Sequence, residues 1–150
     1  MKRCLPMLLV LLLAAPIIAQ EPALTNQPIR FRAVDVLVDS MGKPLAAYQL
    51  EVSARKGTVK IVGIEGGEHP AFKDPPFYDP KAMQHERVII AAFSTAGAER
   101  LPRGRTRVAT IHLQVTGEEQ PRYSVKCQAA ASVEGEKIPV IASLEERRAK

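Results

Sequence analysis

The chain contains no tryptophan and only four phenylalanines and three tyrosines. A platform of exposed rings could therefore be assembled only from that short supply. Cysteine is almost missing: Cys4 and Cys127 are the two present, and no Cys/His pair has the spacing of a zinc site. There is no Gly-x-Ser-x-Gly elbow, no His-Glu-x-x-His helix and no phosphate-binding loop, so no familiar constellation points to catalysis. No segment repeats its apolar residues at helical spacing. Aromatic residues are not interleaved with basic ones, which removes the usual signature of an RNA-binding surface.

What is present begins with a leader. Lys2 and Arg3 precede an apolar run from Leu5 to Ile18 that ends at the small residue Ala19. This order predicts a secretory signal peptide over residues 1–19, cleaved after Ala19. The run is shorter than a membrane span, and Pro6 and Pro16 interrupt it. Cleavage would place the protein outside the cytoplasm, as a secreted, periplasmic or cell-surface protein with no membrane segment left. It would also remove Cys4 and leave Cys127 as a solitary, buried and inert thiol. The formal net charge of +5 would fall to +3 as Lys2 and Arg3 depart. With acids and bases interspersed, nucleic acid is not an expected partner. Residues 20–29 form a short polar lead, and the remaining length suits one domain over residues 30–144 followed by a charged tail at 145–150.

That domain reads as strands. Residues 105–115 give the clearest one: Ala109, Ile111, Leu113 and Val115 alternate with Thr110, His112 and Gln114. Residues 45–54 alternate as well, with Tyr48, Leu50, Val52 and Ala54 on the buried side. Further strands are predicted at 30–39, 58–64, 87–94, 122–131 and 138–144, with Gly63 marking a bulge and Pro139 confined to a strand start or an edge. In the segment 87–94 both stripes are apolar. Ile89, Ala91 and Phe93 are assigned to the core there, which turns Val88 and Ile90 outward. Residues 65–84 hold four prolines and two glycines, so a long irregular loop without strand is expected. Seven or more short strands with turn signals between them predict an all-β, antiparallel sandwich.

The runs Val34-Asp-Val-Leu-Val-Asp, Leu45-Ala-Ala-Tyr-Gln-Leu-Glu-Val and Val59-Lys-Ile-Val-Gly-Ile-Glu-Gly-Gly, followed by Arg87-Val-Ile-Ile-Ala-Ala-Phe-Ser and Arg107-Val-Ala-Thr-Ile-His-Leu-Gln-Val, resemble the cohesin-like family. That family consists of jelly-roll sandwiches related to cellulose- and other carbohydrate-binding modules. The likeness is one of strand pattern. The Tyr-Asp-Pro triplet frequent after the second strand of cohesins occurs here only later, as Tyr78-Asp79-Pro80.

The resemblance implies a non-catalytic scaffold module that recognises a dockerin-like protein in extracellular assembly, without a cofactor. It also implies one sheet face as the recognition surface. Carried onto this chain, its centre would be Val88, Ile90, Thr110, His112, Gln114 and Lys126. The alternative implied is polysaccharide binding, within polysaccharide catabolism, for which Phe72, Phe77 and Tyr78 are the aromatic cluster outside the predicted strands. Docking of those rings onto the sandwich edge competes with that reading. His69, His85, Asp74 and Asp79 lie in or beside the long loop, but their spacing matches no known ligand set, so no metal is expected.

Overall fold

The computed structural model describes residues 27–147. The leader expected over residues 1–19, most of the polar lead and the last three residues of the charged tail lie outside them. The described residues form two four-stranded antiparallel sheets packed together as a β-sandwich. The strands are β1 (Ile29–Asp39), β2 (Ala47–Arg55), β3 (Thr58–Gly66), β4 (Phe77–Tyr78), β5 (Arg87–Phe93), β6 (Arg105–Thr116), β7 (Arg122–Ala131) and β8 (Ile141–Glu146). One sheet has the order β3-β6-β1-β8 and the other β4-β5-β2-β7.

The alternation read from β6 holds: Ala109, Ile111, Leu113 and Val115 are buried and meet Val34, Val36 and Val38 of β1 along one side of the core. Tyr48, Leu50, Val52 and Ala54 of β2 supply the other side. Each large aliphatic side chain buried here contributes roughly 1.5–3 kcal/mol. The β3–β6 register shifts between Ile61 and Gly63, which is the bulge the glycine announced.

Three expectations need correction. The first is the phase of β5. Val88 and Ile90 are 1% and 0% exposed, whereas Ile89 and Phe93 face solvent. Val88 lies opposite Val52 and Ile90 opposite Leu50. Directly opposed residues share a face, so the buried stripe of β2 draws Val88 and Ile90 inward.

The second is the long loop, which is more ordered than its prolines suggested. Two single 3-10 turns, Pro70–Phe72 and Pro80–Ala82, flank the two-residue strand β4. His69 Nδ1 and Asp79 Oδ1 cap them, accepting the N–H of Ala71 and Lys81 respectively. The loop is closed on itself where Gly67 N–H donates to Phe72 O, and it seats against the sandwich where Glu68 N–H donates to Arg107 O of β6 at 3.0 Å. A Cβ at Gly66 would overlap the Lys73 carbonyl, so the chain passes only without a side chain there.

The third concerns the last strand, which starts later than expected and includes Glu145 and Glu146 from the supposed tail. Pairing with β1 sets it, Glu146 lying opposite Val34 and Ile141 opposite Asp39. Pro139 falls before the strand, where its missing N–H costs no ladder bond.

Candidate partner-binding surface

The six residues carried over from the cohesin pattern do not share a face. Val88 and Ile90 lie in the core. Thr110, His112 and Gln114 belong to β6, in the sheet opposite β5. Lys126 is exposed on β7, in the same sheet as β5. The sequence pattern locates strands but not the sheet each one enters, and strands adjacent in the chain fall here in different sheets.

On the outer side of β3-β6-β1-β8, polar groups answer one another. Thr110, 0% exposed, donates to Asp35 Oδ1 at 2.7 Å and accepts from Arg107 at 3.0 Å and Arg147 at 3.2 Å. Arg147 Nε donates to Asp35 Oδ2 at 2.9 Å, and Arg107 also donates to Gly66 O at 3.1 Å. Burial raises the pKa of Asp35, but hydrogen bonds from Arg147 and Thr110, with the charges of Arg147 and Arg107, outweigh it and hold the carboxyl below its usual range. His112 Nε2 lies 3.0 Å from Glu65 Oε1 without making a hydrogen bond. The network clasps β6 to β1 and to the residue following β8.

The outer side of β4-β5-β2-β7 divides in two. At the end near Arg87, Glu51 accepts from Arg87 at 2.8 Å and from Gln128 at 3.1 Å, and Ser53 meets Ser124 at 2.9 Å. The hydrogen bond from Arg87 lowers the pKa of the half-buried Glu51. Toward the other end the register sets Ala47 between Phe93 and Ala131, and Gln49 between Ala91 and Ala129. Small residues make a flat floor there. Phe93 and Phe77, 64% and 70% exposed, rise beside it as nearly parallel rings, 6.2 Å between centroids and 10° between planes. The dish they bound holds about 250 Å³. A second recess of about 460 Å³ continues it beyond Phe93, past Thr95 and Ala96 to Ser132 and Val133. Among the described residues no charged side chain lines either recess. A quarter of the whole chain is charged, so an uncharged region of this extent is a local feature.

The aromatic cluster of the sugar-binding alternative separates as well. Phe72 is buried edge-on against Tyr48, centroids 5.2 Å apart, and has no free face. Tyr78 is half-buried against the core, and Phe77 alone of the three stands in solvent. Its partner Phe93 was missed because it had been assigned to the core stripe. The signal that would have found it is the alternation of β2, which sets the phase of any strand paired with it.

Cys127 is half-buried, and burial pushes its thiol upward, away from the reactive thiolate. Among the described residues no group of three or more His, Cys, Asp or Glu side chains is placed to hold a metal, and no helix is long and apolar enough to cross a membrane. No family model, curated protein or solved structure matches the chain.

Proposed function

We propose that the chain is an exported, non-catalytic recognition module of the cohesin-like kind its strand pattern resembles, and that it engages a partner protein through the uncharged end of the β4-β5-β2-β7 face. The observation that carries this reading is the dish itself: Phe77 and Phe93 exposed beside an alanine floor, with no charge in the lining. A flat floor of small residues accepts bulky apolar side chains from a partner, while Gln49, Ser94 and Ser132 supply a polar rim. Covering two exposed rings and the floor restores to the partner contact the hydrophobic free energy that the free protein forgoes.

A photoreactive phenylalanine analogue placed at position 93, and in a control at the exposed Phe31 of the opposite sheet, tests the reading against proteins secreted by the native host. A dockerin-like adduct formed from position 93, absent from position 31 and lost with Phe77→Lys, is expected. Equal labelling from both positions would reject the dish as the interface. The one observation favouring polysaccharide is the pair of nearly parallel exposed rings. Retention on insoluble cellulose that disappears with Phe77→Ala and Phe93→Ala would transfer the site to that reading.

A further inference from the structure

Strand β4 stops after two residues, while its neighbour β5 runs on past it. Only Ala91 and Ile90 of β5 face Phe77 and Tyr78. Beyond Tyr78 the chain turns aside at Asp79, whose carboxylate caps the Pro80–Ala82 turn. The segment that follows does not come back to β5. Gln84 N–H donates to Ile61 O, and His85 O accepts from Ile61 N–H, each at 2.9 Å, so it pairs with β3 of the other sheet. Between the turn and β5 lies an open cleft of about 580 Å³, bounded by Asp79, Lys81 and His85 on one side and by Arg87, Val88 and Ile89 on the other.

The backbone phase of β5 decides what faces that cleft. Ala54 N–H donates to Glu86 O, and Ser94 N–H donates to Ala46 O, each at 2.8 Å. In the same register Val52 faces Val88 and Leu50 faces Ile90. The even-numbered residues of β5 therefore make the ladder with β2, and the odd-numbered ones turn their N–H and C=O groups the other way. There Ala91 meets Phe77. Arg87 and Ile89 fall where β4 has already ended, so both main-chain groups of Arg87 and the N–H of Ile89 face the cleft. Among the described residues none of the three has a backbone partner outside the strand ladders.

We propose that this interrupted edge is a second recognition site, which takes an extended, uncharged, β-branched peptide segment of a partner protein as a strand in line with β4. Open main-chain groups beside a strand-sized cleft are a template for a further strand. The charges of the cleft specify an uncharged occupant. Asp79 and Glu86 are matched in number by Lys81 and Arg87, so the lining carries no net charge. Ile89 turns its apolar side chain to the outer face beside the incoming strand, where a Val or Ile pairs well across strands. The site does not depend on the aromatic dish, which lies at the other end of the same face.

The capped peptide acetyl-Thr-Val-Thr-Val-Thr-amide is the probe, added at millimolar concentration to the mature chain, with amide exchange followed by NMR. In the free protein the Arg87 and Ile89 amides exchange fast and those of Val88 and Ile90 slowly. With the peptide, Arg87 and Ile89 slow by about tenfold or more, because the new ladder must open before they exchange. The same peptide N-methylated at every amide gives no slowing. Phe93→Lys, which disables the dish, leaves the slowing unchanged. Slow Arg87 and Ile89 amides in the free protein, no slowing with the peptide, or equal slowing by the N-methylated peptide would each overturn the proposal. Loss of the effect in Phe93→Lys would assign the peptide to the dish and overturn it as well.

Discussion

The two outer faces of the sandwich obey the same period-two rule and end in opposite chemistry. On β3-β6-β1-β8 the central groups are answered internally: Asp35 by Arg147 and Thr110, and Thr110 by both arginines. On β4-β5-β2-β7 one half is closed in the same manner by Glu51 and Arg87, while the other half leaves Phe77 and Phe93 in water with no charge around them. A network whose donors and acceptors are spent inside the fold has little left to give a partner, and its worth is structural. Apolar surface left in water stabilises nothing until something covers it. On the proposed reading, a recognition surface is marked by the group left unanswered, whatever its polarity.

The sharpest way to break that comparison uses the two stripes of β5. Val88→Lys with Ile90→Lys should abolish cooperative unfolding in a circular dichroism melt, because each buried ammonium costs several kcal/mol, comparable with the stability of a domain. Ile89→Lys with Phe93→Lys should melt near the wild type, losing the apolar dish and the apolar flank of the cleft beside β5. Similar melts for the two pairs would mean that β5 lacks the phase described.

Asp35→Ala comes next. It strands two arginines and a buried threonine hydroxyl, and should cost about 2 kcal/mol in urea unfolding. A loss below about 0.5 kcal/mol would place this face in the class of ordinary surface ion pairs.

The same carboxylate has a pH signature. Its folded pKa is depressed, so the folded state binds the proton less readily than the unfolded chain does. The clasp's contribution is complete above the ordinary value of 3.8 and is lost as pH falls below it through the folded value. Asp35→Asn should flatten the stability profile in that acid window and leave its shape near neutrality unchanged. An unchanged acid limb would show that Asp35 does not carry it. Smallest of all is Phe77→Ala, which should alter stability by about 0.5 kcal/mol or less, since the ring is already in water. A larger loss would mean that the ring serves the fold and not a partner.

Much of the architecture was legible because β2 and β6 alternate without ambiguity: Tyr48, Leu50, Val52 and Ala54 on one, Ala109, Ile111, Leu113 and Val115 on the other. That pattern names the core stripes, although Thr110 between Ala109 and Ile111 is buried as well, under Asp35 and the two arginines. Gly63 likewise announced its bulge. β5 was illegible alone, since Val88/Ile90 and Ile89/Phe93 are equally apolar and periodicity cannot rank equals. Partners decided it: Val52 and Leu50 drew Val88 and Ile90 inward. The candidate surface suffered further, since joining Val88 with Thr110 and Lys126 required knowing which sheet each strand enters. Phe93 was lost with the phase, and Phe72 and Phe77, five residues apart in one loop, went to opposite environments.

The sequence by itself determined an all-β sandwich, most of its strands and the buried stripes of β2 and β6, because strand propensity and two-residue alternation are local properties. Only the tertiary structure decided the sheet order, the inward stripe of β5, the capped turns that interrupt β4 and the separation of one spent polar face from one open apolar corner. Those depend on contacts between residues far apart in the chain, and the free energy that selects among them appears only once the two sheets close on each other.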